Sequence, residues 1–366
     1  MGRKKSLDWT TPVACFTIVA MRSYFKHFTG STVFAVLALV LAFLLGFQMG
    51  GSLSEAFAFL FTALMLGILE TSLSFDNAVV NARILVNMAP FWRKIYLYVG
   101  MLISVFGMRI LFPLVIVWLV STKPFGDVLT MTWQNPQEFQ NILVEQHVMI
   151  AGFGGAFLWM VFSSFFFDPD KDLHWLPGLE KIMSTVGRIP SVPVVFTLLI
   201  TFAFFQAMPP LHHVEFLVAA VLGVIVYLLV SGLGALMQGS PGVSVAQTAG
   251  LGSFLYLEVQ DASFSFDGVI GAFAITNNIF IIALGLGIGA FFVRSMTIKL
   301  VEDKTLGAFR YMEHGAFWAI GALSLIMDLG ALDIEVPEVV AGMVGLVFIV
   351  LSVGASILAN RQDKKA

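Results

Sequence analysis

"ETSLSFD" occupies residues 70–76 and "DASFSFD" residues 261–267. Aligned, the two share Ser72 with Ser263, Ser74 with Ser265, Phe75 with Phe266 and Asp76 with Asp267, and Glu70 matches Asp261. Their flanks, "DNAVV" and "DGVIG", also resemble each other. Both copies sit in sequence that is otherwise almost wholly apolar. Of 366 residues 58% are hydrophobic and only 12% charged, against roughly 25% charged in soluble domains. Such a chain belongs in a bilayer, where backbone polar groups must be paired internally and a helix of about 20 apolar residues makes the crossing. The alternation of a β-barrel is absent. Cys15 is the single cysteine, so no disulfide within the chain and no thiolate metal cluster can form.

Apolar runs predict ten spans, at about 31–50, 56–88, 95–120, 148–167, 191–207, 214–236, 245–275, 279–293, 311–328 and 338–359. Residues 1–30 read as a cytoplasmic or interfacial segment rather than a signal peptide, because Arg22 and Lys26 follow the apolar run without a small-residue cleavage pattern. Residues 31–359 form one membrane domain, and 360–366 a basic cytoplasmic tail. Lysine and arginine test this plan independently. Arg22 and Lys26 precede the first span, Arg83, Arg93 and Lys94 flank the exit of the second, and Lys171, Lys181 and Arg188 follow the fourth. Arg294, Lys299, Lys304 and Arg310 accompany the eighth, and Arg361, Lys364 and Lys365 the tenth. The opposite loops hold Lys123 alone, beside Asp127, Glu138, Glu145 and Asp333. By the positive-inside rule both termini are cytoplasmic, which an even span count requires.

The motifs then fall in spans two and seven. That offset is odd, so the two motif helices run in opposite directions through the membrane. The expected fold is all-α: a polytopic membrane helix bundle built on an inverted repeat of three-helix units, repeat 1 at about 56–167 and repeat 2 at about 245–328. Inverted repeats whose polar, broken helices meet at the midplane are a common transporter plan.

Five acids lie within the motif spans: Glu70, Asp76, Glu258, Asp261 and Asp267. Burying a carboxylate at the bilayer centre costs about 2.5–3.5 kcal/mol even on the lenient insertion scale. Arg109, in the middle of span three, is the one basic residue deep in a span and cannot balance them all. It reads as a structural partner of Glu70 or Asp76, or as a gate. A hard divalent cation answers the surplus: Glu70, Asp76, Asn77, Glu258, Asp261 and Asp267 supply oxygen ligands suited to Mn2+, Ca2+ or Mg2+ as substrate, with no prosthetic group. Carboxylates without metal would take up protons, which fits exchange of metal for protons. Asp76 and Asp267 are expected as symmetry-related ligands of one midplane ion. Glu70 and Asp76 stand roughly 120° and about 9 Å apart on an ideal helix, so the helix must break within Ser72–Ser74, and its counterpart within Ser263–Ser265, for both to reach it. Glu258 and Asp261, three apart, share a face. Glu313 and His314, at the start of span nine, read as an interfacial pair or as gating residues.

"LETSLSFDNAVVNA" at 69–82, together with "LEVQDASFSFDGVIGAFAIT" at 257–276, resembles the paired acidic motifs of the TerC-type integral membrane proteins, in the branch catalogued as a domain of unknown function. The resemblance covers most of residues 56–328. It implies a place among the LysE-like transporters, inverted three-helix repeats and, in several members, manganese export or tellurium-ion resistance. An arginine in the helix after the first motif is matched by Arg109. The chain departs from the pattern in carrying Glu258 in addition and Glu313 where TerC-like sequences tend to have lysine.

Three functions follow as expectations. The first is a transporter of the cell membrane exporting a divalent metal, Mn2+ favoured. The second is a non-transporting metal sensor, or a partner in metallation or tellurium resistance. The third, an intramembrane aspartyl protease, fails because Phe precedes both Asp76 and Asp267 and no Gly-x-Gly-Asp occurs. With no phosphate-binding glycine loop, no HExxH and no basic nucleic-acid surface, the chain is read as neither an enzyme nor a nucleic-acid partner.

Overall fold

A computed structural model describes residues 11–237, 245–303, 305–334 and 336–363. Among the described residues all regular structure is helical, and seven helices are long and apolar enough to cross a membrane. The chain is a polytopic helical membrane bundle. Helices occupy all ten predicted positions: α1 (Thr11–Gly50), α2 (Leu53–Leu73) with α3 (Phe75–Asn87), α4 (Pro90–Val120), α7 (His147–Phe166), α9 (Val192–Ala207), α10 (His213–Met237), α11 (Val245–Ile275), α12 (Ile279–Glu302), α13 (Met312–Gly330) and α14 (Glu338–Asp363). The connection between α4 and α7 carries two short helices, α5 (Phe125–Gln134) and α6 (Pro136–Glu145), and the connection after α7 carries α8 (Pro177–Val186). α9, with 16 residues, is too short for the span criterion. The acidic helices α11 and α13 also fall outside the seven.

The bundle is apolar outside, and polar residues are set within its largely apolar core. Leu37, Phe61, Met65, Leu119 and Leu199 are exposed on its surface, as lipid contact demands. Glu70, Asp76, Asn77, Asn81 and Arg109 are buried. α7 and α12 are the most enclosed of the seven. The packing repeats with the two halves exchanged: α10 lies against α7 and α11, and α14 lies against α13 and the α2–α3 pair. Each outer helix thus covers the third helix of one repeat and the motif helix of the other, as an inverted repeat requires.

Glycines on α12 let α2 approach it. Gly285 meets Leu66 and the carbonyl of Ala63, and Gly289 meets the side chain of Glu70, so Gly-x-x-x-Gly lies on the face toward α2. A Cβ at residue 289 would overlap the Glu70 side chain and crowd the Thr71 N–H. Gly289→Ala is expected to push Glu70 out of place and destabilise the bundle by about 1–3 kcal/mol. Thermal unfolding in detergent beside the wild type measures it.

Two motif expectations meet different outcomes. In the first copy the helix does break. α2 ends at Leu73, Ser74 has φ −94° and ψ 22°, and α3 starts at Phe75. Asp76 Oδ1 accepts from the Asn77 N–H at 2.9 Å, giving the restarted helix a side-chain acceptor in place of a backbone one. The second copy shows no break. α11 runs continuously from Val245 to Ile275, and Ser263 Oγ donates to the Val259 carbonyl at 3.0 Å within the intact helix.

α4 carries its own irregularity, which the sequence reading missed. Residues Tyr96–Gly100 and Ile103–Leu111 are π-helical. The second segment ends where the Phe112 N–H bonds the Gly107 carbonyl, immediately before Pro113, whose ring and missing N–H are incompatible with a regular turn. The wider helix presents Arg109 to the interior.

Candidate functional site

A cavity of about 40 Å³ lies between α3, α4, α11 and α12, room for an ion with water, since one water needs about 10–15 Å³. Glu70, Ser74, Asn77 and Asn81 line it from the broken helix, Arg109 from α4 and Asp261 from α11. Glu70 is 5% exposed and Arg109 2%. The guanidinium donates from Nη2 to Glu70 Oε1 at 2.6 Å and from Nη1 to the Ser104 carbonyl at 2.5 Å and Ser104 Oγ at 3.1 Å. Ser74 Oγ donates to the same Glu70 oxygen at 3.3 Å. Of the two readings of Arg109, the structural partner of Glu70 is the one the geometry displays. Across the cavity Asn77 Nδ2 donates to Asp261 Oδ1 at 2.8 Å, joining α3 to α11. The amide oxygens of Asn77 and Asn81 are buried and have no hydrogen-bond partner. Two unpaired acceptors beside a carboxylate suit a bound cation or water.

Asn81 was absent from the sequence-based candidates. A second intramembrane amide four residues after Asn77 is the signal that could have found it, because that spacing places both on one helix face. Arg294 of α12 also lines the cavity, although the sequence reading assigned it to a basic exit.

Of the five expected metal ligands whose side chains the structure describes, Glu70, Asn77 and Asp261 line the cavity, and Asp76 and Glu258 do not. Among the described residues no three His, Cys, Asp or Glu side chains come together to hold a metal ion. Asp76 is buried but points away from the cavity, toward Gly345 of α14, where it serves the start of α3. The side chain of Asp267 lies outside the described residues. Glu258 is buried at the π-helical wall, where a Cβ on Gly100 would overlap its carboxylate, and its Oε1 is unpaired. Among the supporting serines Ser74 alone lines the cavity. Ser72 faces outward and bonds the Ile68 carbonyl, and Ser265 Oγ is buried without a partner.

Glu313 and His314 belong to a separate cluster at the basic end of the bundle. Glu313 pairs with Arg83 at 3.1 Å, and Arg83 stacks on Phe165 at 4.6 Å. His314 Nδ1 hydrogen-bonds Glu180 Oε2 at 2.8 Å. Glu180 also accepts from the Trp175 N–H at 3.0 Å and from Trp318 Nε1 at 3.1 Å, and pairs with Lys171 at 3.4 Å. The cluster fastens amphipathic α8 to α13. Burial alone would raise the Glu180 pKa, but the hydrogen bond and charge of His314, the Lys171 ammonium and the Trp318 N–H reverse this and hold it at about 2. A depressed carboxylate pKa stabilises the fold fully above the unfolded value of 4.5 and loses that contribution as pH falls through about 2. Melting temperature is therefore expected to drop between pH 4.5 and pH 2, and less steeply in Glu180→Gln.

A further buried acid escaped the sequence reading. Asp328, at the predicted end of span nine, accepts from Trp159 Nε1 at 2.7 Å where the third helices of the two repeats meet, α7 and α13. On the other side of α3 a wider cleft of about 380 Å³ is lined by Arg83 and Asn87 of α3, Tyr227 of α10 and Tyr256 of α11. α3 and α11 thus line both spaces.

No curated protein and no solved structure matches the chain. The chain belongs to the protein family of unknown function DUF475, which matches residues 75–363, from the last two residues of the first motif through the last helix.

Proposed function

We propose that the chain is a membrane transporter that exports a hard divalent cation, Mn2+ favoured over Ca2+ and Mg2+, through the cavity between the two repeats. The observation that carries this reading is that Asp261, held by the Asn77 Nδ2 donor, shares the cavity with the unpartnered amide oxygens of Asn77 and Asn81, next to a helix broken in mid-membrane. These are hard oxygen donors, and a small cavity leaves the cation part of its water shell, as ions of this class prefer. Glu258, three residues before Asp261 on α11, lies against Gly100 of α4 and adds a second buried carboxyl group next to the cavity wall. The unequal number of buried acids and cations supports return transport of protons. The resemblance of both motifs to the TerC-type proteins supports the same cargo. Entry is through the cleft beside α3 at the basic end, which the positive-inside rule puts in the cytoplasm of a cell-membrane protein with both termini inside.

The test is flux. Purified protein in liposomes carrying a pH gradient is expected to move Mn2+, followed with a trapped fluorescent chelator, and to dissipate the gradient as it does so. Mn2+ binding without flux would replace this reading with that of a metal sensor or metallation partner.

A further inference from the structure

We infer that the cavity is one half of a twofold cation site whose other half is filled by the guanidinium of Arg109, acting as a tethered cation. The inference rests on the cation reading above and deepens it. It concerns how many ions the site takes and which carboxylate holds them.

The alignment of the repeats equates Glu70 with Asp261 and, one residue beyond the second acid, Asn77 with Gly268. The structure brings each first acid to that next residue of the opposite repeat. Asp261 accepts from Asn77 at 2.8 Å. Glu70 faces Gly268, where a Cβ would stand 3.2 Å from Glu70 Oε2. Two symmetry-equivalent contacts of this kind form the two halves of one arrangement.

The halves differ in what balances the charge. Asp261 meets a neutral amide and has no ion pair among the described residues, and the Asn77 and Asn81 oxygens on the same cavity are unpaired. Glu70 meets glycine, which offers no side chain. Its Oε1 is taken by Arg109 at 2.6 Å, where both residues are buried. Arg109 is itself fixed by both oxygens of Ser104, so the positive charge is held in place. A buried carboxylate bound by a fixed guanidinium has no charge left to attract a dication, and freeing it would leave two buried charges unpaired. Symmetry therefore provides two carboxylate positions, and Arg109 reduces the vacant ones to one.

The experiment counts Mn2+ ions bound to the purified chain in detergent, by equilibrium dialysis with electron paramagnetic resonance of free Mn2+. Wild type is expected to bind one ion in the cavity. Glu70→Gln should keep that ion with affinity within about threefold, while Asp261→Asn should lose it. Arg109→Gln should bind a second ion, and adding Glu70→Gln to that variant should remove the second ion alone. Arg109→Lys, which keeps a tethered cation, should stay at one. The Glu70→Gln comparison carries the test even if Arg109→Gln does not fold. Loss of the ion in Glu70→Gln, or a single ion in folded Arg109→Gln, would overturn this inference and leave the cation reading standing. A wild type that binds no Mn2+ would overturn both.

Discussion

Asp261→Asn is expected to weaken Mn2+ binding by about 100-fold and to abolish flux. The substitution keeps size and one oxygen but removes the carboxylate charge that a hard dication needs in a low-dielectric site. Asp261 Oδ1 accepts from Asn77, and the carbonyl of a new asparagine can accept the same bond. Membrane abundance and melting temperature should therefore remain near wild type. Glu138→Gln, which alters an exposed pair with Lys123 in the connection between α4 and α7, should change neither binding nor flux. If Asp261→Asn transported at the wild-type rate, the cavity would be a structural feature and the transport reading would lose its ligand.

The second large effect falls on stability. Arg109→Ala leaves Glu70 buried with Ser74 as its one remaining side-chain donor among the described residues, and removing one partner of a buried ion pair costs about 3–5 kcal/mol. A pronounced fall in melting temperature is expected. Replacing both residues by leucine removes the orphaned charge as well as the pair, and should recover most of the loss. Equal destabilisation of the single and double variants would mean that the pair contributes through shape rather than charge. Gly289 belongs to the same unit, because its lack of a side chain sets the position from which Glu70 reaches Arg109.

The first motif copy shows how far local reasoning reaches. A shared ion for Glu70 and Asp76, roughly 120° apart on an ideal helix, demands a break within Ser72–Ser74, and the helix is interrupted at Ser74. Its purpose differs from the expectation. The break does not bring Asp76 to the cavity that Glu70 lines. It lets Asp76 serve the new helix start and face α14, and it turns Asn77 and Asn81 into the cavity. The second copy has nearly the same letters and no break, although Ser72 and Ser263 make the same bond to the carbonyl four residues back, so the letters of the motif alone do not decide the break.

Sequence by itself determined the solvent, the helical class and the inverted pairing of the two motifs. Apolar length, charge placement and span parity are local or additive properties that do not depend on which helix touches which. It also marked Glu70, Arg109, Asn77 and Asp261 as intramembrane polar residues. Tertiary structure alone decided their partners: Arg109 for Glu70 rather than Asp76, Asn77 for Asp261, and Glu180 for His314. It alone brought Asn81 and Arg294 to the cavity and turned Asp76 from it. The physical reason is that a buried charge is compensated by whichever group the packing brings within about 3 Å, and that depends on rotations of whole helices, on π-helical turns in α4 and on glycines in α12, none of which follows from the spacing of the acids.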